Sequence, residues 1–454
     1  MQENLQYKLK NRHVQMIALG GAIGTGLFLG SAEIIKLTGP SIILAYVFCG
    51  LIIYAIMRAL GEMTVHYPTS GSFVEYARAY LGEGAGFVAG WNAWLLFMTA
   101  SMMEATAVGK LLDYWFHIPH SLVCIVLLSI VCIVNLLGVK YFGEAEFWSA
   151  GIKVTAIVFI IFMGTYLIFF DHNVSQIAIM NIKKDVQINN LFSHGLWGFL
   201  GSMAIVCLSF CGAEFVSVAA GETENPKKTI PKAINGVIVR IILFYVLTMI
   251  VIVLMMDTST LAKISNPFAD VFAKLGFSKS AEIINFVAIT ASISALNSCI
   301  YVSSRFLYQL ALNGHASSKL AKLNKKHLPQ NAILFTTAAA FISVVVNYTF
   351  PANVLLYLFA IITIAIIINW YIILLSHMMF RKEMVAANCQ IEYKMPGYPY
   401  INILVMCFLF ILLMVMSKDK DMQLSVYVAP AWIFLLSIVH ALSNKSKANR
   451  TEII

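Results

Sequence analysis

Apolar residues in this chain do not alternate with polar ones; they run on for a whole membrane thickness and then stop at a short polar segment. The runs fall at 14–37, 41–65, 85–115, 120–139, 148–170, 197–220, 234–256, 281–312, 331–349, 352–379, 399–416 and 424–443. A helix needs about 20 apolar residues to cross the hydrocarbon, so the pattern predicts about twelve spanning helices, numbered here in that order as spans one to twelve. Barrel strands would show as short alternating segments, and these are absent. In lipid only a helix of this length satisfies all its own backbone groups. The expectation is an all-α polytopic membrane protein with one transmembrane domain over 14–443, a short segment 1–13 before it and a tail 444–454 after it.

Composition agrees. Of 454 residues, 60% are hydrophobic and only 12% are charged, with a mean hydropathy of +0.81. Soluble domains carry about 25% charged residues. The net charge of +9 does not point to nucleic acid, because its lysines and arginines concentrate in segments that share one side of the membrane. These are the N-terminus, 227–232, 319–326, 381–394 and 445–450. By the positive-inside rule both termini are cytoplasmic, and the protein is expected in the inner (cytoplasmic) membrane. No cleavable signal sequence is expected, since residues 1–12 are polar and the run after them is long enough to span. The eight cysteines show neither C-x-x-C pairs nor zinc spacing, so no metal and no cofactor are expected. H-E-x-x-H and G-x-S-x-G are also missing, which argues against a membrane-embedded enzyme. Lipid-facing and partner-facing apolar surfaces look alike, so the sequence sets no oligomeric state.

Two spans carry breaks. Span one contains Gly20-Gly21-Ala22-Ile23-Gly24-Thr25-Gly26, and each glycine disfavours a continuous helix by about 1 kcal/mol relative to alanine. A helix restarting there would present free N–H groups and a positive dipole end to an anion such as a carboxylate. The competing explanation is close helix packing by small residues. A dinucleotide fingerprint does not fit: its third glycine would fall at Leu29, and no strand precedes it. Span six contains Ser209-Phe210-Cys211-Gly212-Ala213-Glu214-Phe215, a glycine and a carboxylate inside an apolar run. Paired breaks five spans apart point to an inverted repeat with a binding site at the membrane midplane.

The stretch from Arg12 through Gly20 and Gly24 to Phe28 resembles the opening of bacterial amino acid permeases of the amino acid–polyamine–organocation superfamily. So do Met57-Arg58-Ala59-Leu60-Gly61-Glu62-Met63, Phe142-Gly143-Glu144-Ala145-Glu146-Phe147-Trp148 and Ala220-Gly221-Glu222-Thr223. Ser294-Ala295-Leu296-Asn297-Ser298 with Ser304-Arg305 completes the set. The resemblance implies a leucine-transporter-like 5+5 inverted repeat, repeat one over about 14–170 and repeat two over about 197–380, then two peripheral helices within 399–443. It implies a substrate carboxylate on the backbone of Ile23, Gly24, Thr25 and Gly26. The substrate amino group would meet the span-six break between Phe210 and Ala213, with Cys211 and Gly212 between them and Phe210 as an aromatic lid.

Charged residues inside spans are functional candidates by default. Glu104 in span three either lines the cavity or fixes helix packing. Lys153 in span five either snorkels to the inner surface or, as the resemblance implies, stands where sodium-coupled relatives hold sodium and exchanges a proton instead. Glu214 carries the same pair of readings. Ser292, Ser294 and Asn297 could face Lys153 or simply bond a neighbouring helix. Arg58, Glu62 and Arg78 are expected in gates or surface ion pairs, Glu222 and Glu224 in a solvated turn, and His13, His66 and His377 at solvated span ends. The side-chain end of the pocket, with Met103, Cys211, Ala213, Ile293 and Ile362 to Ile366, is small or apolar. Proton-coupled import of a neutral amino acid such as proline or an aromatic one is therefore expected. An amino acid exchanger is the closest rival, and a non-transporting amino acid sensor a more distant one.

Overall fold

The computed structural model of the chain describes residues 9–20, 23–185, 191–264, 266–350, 354–420 and 422–451. Among these residues secondary structure is helical, apart from one isolated bridge between Leu9 and Thr223. Nine helical stretches are long and apolar enough to cross a membrane. The first of them, Thr25–His66, joins two crossings, because the chain turns at Gly39–Ser41, where Gly39 has φ 63° and Pro40 follows. Three of the twelve spans do not form one uninterrupted helix of spanning length, each for a physical reason. Span one is divided into Asn11–Gly20, Thr25–Phe28 and Gly30–Thr38, and span six into Gly195–Ser209 and Phe215–Ala219. Span eleven, Tyr400–Met416, is 17 residues long.

The other spans are two, Ile42–His66; three, Glu83–Leu112; four, His120–Leu137; five, Val139–Phe170; seven, Pro226–Met255; eight, Ser278–Leu312; nine, Gln330–Thr349; ten, Val354–Ala386; and twelve, Gln423–Thr451. Span seven changes from α-helix to a π-helix over Ile241–Leu247. Spans three, eight and ten form the interior: 83% of the apolar stretch of span three is buried, against 11% for span twelve. The outer spans expose Phe162, Phe169 and Phe170 on span five, Phe410 on span eleven and Phe434 on span twelve. Such rings on the outer surface need lipid as their solvent.

Two expectations are corrected. Span five begins at Val139, not 148, because the chain restarts a helix after Gly138 at φ 133° and nothing interrupts it. Gly143 within it lets the N-terminal segment approach: a Cβ there would lie 3.1 Å from both His13 Nδ1 and Leu9 Cδ2. The segment 171–196, which the hydropathy pattern leaves as a polar connection between spans five and six, contains the helix His172–Asp185. The last helix does not stop at 443; it runs on to Thr451.

Candidate functional site

The break in span one lies where the glycine cluster placed it. Gly21 and Ala22 lie outside the described residues, Gly24 is extended (φ −138°, ψ −154°), and a new helix starts at Thr25. Its first N–H group is already occupied. Thr25 N donates to Glu104 Oε1 at 3.2 Å and to Oε2 at 3.3 Å, and the Thr25 hydroxyl donates to Glu104 Oε2 as well. Span three thus supplies a carboxylate to the start of the restarted helix of span one. Gly24 makes this approach possible, since a Cβ on it would fall 2.6 Å from Glu104 Oε1. Gly26 serves the other expectation, close packing: a Cβ there would lie 2.8 Å from the Ser209 Cα of span six. Ser209 Oγ donates to Gly26 O at 2.9 Å, so the two broken spans touch at their breaks.

The span-six break is closed by its own residues and by span ten. Gly212 takes φ 97°, a conformation that suits glycine. Its N–H donates to Glu214 Oε2 at 3.2 Å, while Trp370 Nε1 donates to Glu214 Oε1 at 2.6 Å. Phe210 packs against Tyr245 and Tyr46 with ring centroids 4.9 and 6.2 Å away. The Tyr245 hydroxyl donates to Ser209 O at 2.9 Å. Met103 and Ala213 are buried beside the breaks and Cys211 is half-buried.

Lys153 does not snorkel. Because span five begins at Val139, it lies about 21 Å along the helix at 1.5 Å per residue, and its side chain is fully buried. Its Nζ lies 3.9 Å from Glu146 Oε1, two helical turns back on the same face. Glu146 Oε2 accepts from Ser294 at 2.7 Å. Ser292 Oγ lies 3.1 Å from Thr25 Oγ1. Span eight therefore touches two groups of buried polar residues, Thr25 with Glu104 through Ser292 and Glu146 with Lys153 through Ser294. Asn297 bridges helices, accepting from Asn135 of span four at 2.9 Å.

One end of the bundle carries ion pairs: Glu62 and Arg78 form them as expected, but some of the partners were expected in solvent. Glu222 is not in a solvated turn. It is fully buried, 3.1 Å from Arg305 Nε, and its carbonyl accepts from Leu9 N–H at 3.1 Å. Arg305 also covers the Tyr301 ring at 3.7 Å. Glu224 remains exposed, as expected. His377 is fully buried, its Nε2 3.1 Å from Glu62 Oε2, and Arg381 joins the same carboxylate at 2.8 Å. His13 is buried 3.1 Å from Glu144, whereas His66 is exposed. Each misplaced group sits near a span end, where a local window shows water but the fold brings an opposite charge. Arg58 donates to Asn235 at 3.0 Å, and Arg78 pairs with Glu75 at 3.0 Å. The opposite end holds a cavity of about 870 Å³ lined by Leu29, Lys36, Lys110, Asp113, Asp270 and Phe359 among others. It reaches Leu29, one helical turn from Thr25.

Sequence reasoning gave no site role to Trp370 or Glu146. The seven-residue spacing from Glu146 to Lys153 was the available signal for the second; an indole in an apolar run gave none for the first.

Broken spans that meet at a buried polar centre inside a bundle of spanning helices fit a polytopic membrane permease. The chain belongs to the amino acid permease family, whose profile matches residues 13–453. It is 40% identical over 445 residues to the aromatic amino acid transport protein AroP of Escherichia coli K12, covering 98% of this chain and 97% of that protein. Against AroP of Salmonella typhimurium LT2 the identity is 39% over the same shares. The uncharacterized transporter YdgF of Bacillus subtilis 168 is 40% identical over 97% of this chain and 96% of its own length.

Proposed function

We propose that this permease imports an aromatic amino acid together with a proton across the inner membrane by alternating access, with both termini cytoplasmic. The observation that carries the reading is the Thr25–Glu104 contact, with the Lys153–Glu146 pair held on the same span eight through Ser292 and Ser294. The relatives named as aromatic amino acid transporters support the substrate class. The buried, apolar surroundings of Phe210, Met103 and Ala213 support a neutral side chain.

In this mechanism Glu104 holds the place of the substrate carboxylate on Thr25 N–H while the site is empty. A proton arriving from the end of the bundle that holds the cavity adds to Glu104, removes its charge and weakens its hold on the helix end. The substrate carboxylate then takes the N–H groups at Gly24, Thr25 and Gly26 beside Ile23. Its ammonium turns to the carbonyls of the span-six break from Phe210 through Cys211 and Gly212 to Ala213, with Glu214 closing that break. Phe210 swings from its aromatic neighbours to cover the ring. Repeat one (14–170) rocks against repeat two (197–380) while spans eleven and twelve stay peripheral. Lys153, with Ser292 nearby, starts as the neutral amine, takes the proton from Glu104 to become an ammonium beside Glu146, and releases it inward. Coupling follows because proton and substrate together favour the closed state that neither favours alone.

Reconstitution in liposomes tests this. Labelled phenylalanine, tyrosine and tryptophan, with proline as control, are offered with and without an inward proton gradient. The reading expects gradient-driven accumulation of an aromatic amino acid, lost in Lys153→Ala. Counterflow without a gradient requirement would make the protein an exchanger. Saturable binding without any transport would make it a sensor.

A further inference from the structure

Arg240 lies mid-way along span seven, is only 8% exposed and has no role in the scheme above. Two arginines near span ends each have an acid: the buried Arg305 has Glu222 and the half-buried Arg381 has Glu62. Arg240 instead donates to two carbonyls of its own helix, Gly236 O at 3.3 Å and Ala233 O at 3.2 Å. No ion pair to a carboxylate forms there among the described residues. A guanidinium is always charged, and burying it without a counter-anion is strongly unfavourable.

Its surroundings say which anion is missing. Arg240 lines a cavity of about 20 Å³ with Ile23, Ile53, Phe210, Ala213 and Tyr245. That volume holds about one water. Ile23 precedes Gly24 at the span-one break, and Phe210 and Ala213 flank the span-six break, so the cavity opens between the two breaks. The π-helix that starts at the next residue, Ile241, is an irregularity typical of functional positions. Both carbonyl partners lie toward the start of span seven, so the guanidinium leans to the cytoplasmic half in the orientation proposed above.

We infer that Arg240 is a second carboxylate-binding residue, which takes the α-carboxylate of the amino acid on the cytoplasmic side once it leaves Thr25. The inference rests on the transport reading. Phe210 divides the two stations: packed on Tyr245 it keeps the cavity at the size of one water, and as it moves over the substrate ring the cavity widens toward Arg240. The inward-facing site thus holds its substrate by a side-chain cation, whereas the outward-facing site uses backbone N–H groups.

The test compares KM at the two faces, in right-side-out and inverted membrane vesicles, for labelled phenylalanine, tyrosine and tryptophan. Variants are Arg240→Met and Arg240→Lys, each checked for its thermal midpoint in detergent. Expected is a rise in KM of roughly 10- to 100-fold at the cytoplasmic face for Arg240→Met, with the outer face changing by less than about twofold. Arg240→Lys shows a smaller rise with the same asymmetry. Unlabelled phenylalaninamide, which lacks the carboxylate, competes poorly at the wild-type cytoplasmic face and gains relative to phenylalanine in the variant. Equal changes at both faces, or none, overturn the inference and leave the arginine as a staple within its own helix. If Arg240→Met does not assemble, the Arg240→Lys asymmetry decides alone. A wild-type protein that moves none of the three amino acids overturns the transport reading itself, and the inference with it.

Discussion

The two broken spans solve the same problem in different ways. The span-one break borrows its acid: Glu104 comes from span three, 79 residues away in sequence, and binds the N–H of Thr25. The span-six break carries its own: Glu214 sits two residues from the Gly212 N–H that it accepts, and Trp370 holds its other oxygen. A borrowed carboxylate can be released by a proton or displaced by a second carboxylate without unfolding the break. One from the same turn cannot leave without stranding a buried N–H and an indole. In the proposed mechanism the first break accordingly changes partners while the second stays put.

The largest effect is expected where the two breaks touch. Gly26→Val would force a side chain against the Ser209 backbone, where even a Cβ comes within 2.8 Å. Overpacking of this kind costs about 1–3 kcal/mol. Transport should vanish and the thermal midpoint fall; normal uptake by this variant would show that the contact is dispensable. Next comes Glu104→Gln, which keeps a carbonyl oxygen for Thr25 but cannot exchange a proton. Gradient-driven accumulation should drop by about 100-fold, in line with loss of a positioned acid–base group, while substrate counterflow persists. Accumulation that stays intact would remove Glu104 from coupling. Glu214→Gln sharpens the contrast, because an amide can still accept from Trp370. Coupling should be unchanged and stability lower by about 1 kcal/mol, read by thermal unfolding in detergent; loss of coupling would make the second break an active one.

The smallest effect lies outside the membrane. Lys184 of the outer helix pairs with Asp257, just after span seven. Partial burial would raise the Asp257 carboxyl, but hydrogen bonds from Lys184 and Ser259 outweigh it and hold it below its ordinary 3.8. The hydrogen bond from Asp257 raises Lys184 above 10.5. The pair therefore contributes fully between these values. Its stabilisation is lost as pH falls through the depressed aspartate pKa, or as pH rises through the raised lysine pKa. Both groups are partly exposed, so Lys184→Ala should lower stability by no more than about 1 kcal/mol. A midpoint shift that grows rather than shrinks as Asp257 is protonated would contradict the pairing.

Much of this architecture was legible in the chain. Hydropathy located the spans because crossing a bilayer requires a long apolar run whatever packs beside it. Glycine spacing located both breaks because a helix weakened at Gly24 or Gly212 is weak in any surroundings. Lys153 and Glu104 stood out because charge inside lipid always needs an explanation. The partners were not legible. Glu222 looked solvated because polar residues follow it, and His377 because it lies near the end of an apolar run; only the fold supplied Arg305 and Glu62.

The sequence by itself determined a helical, many-spanning membrane protein of the amino acid permease family, with irregular backbone in spans one and six. Tertiary structure alone decided that Glu104 fills the first break, that Trp370 locks the second, that Lys153 is buried beside Glu146, and that Arg240 meets carbonyls and no carboxylate among the described residues. The reason is physical. Hydropathy and helix propensity are local properties of a chain, whereas helices in lipid are all apolar on the outside, and the face each turns to its neighbour is settled by close packing. Small residues such as Gly24 and Gly26 permit that packing, but which oxygen and which nitrogen then meet depends on every other helix in the bundle.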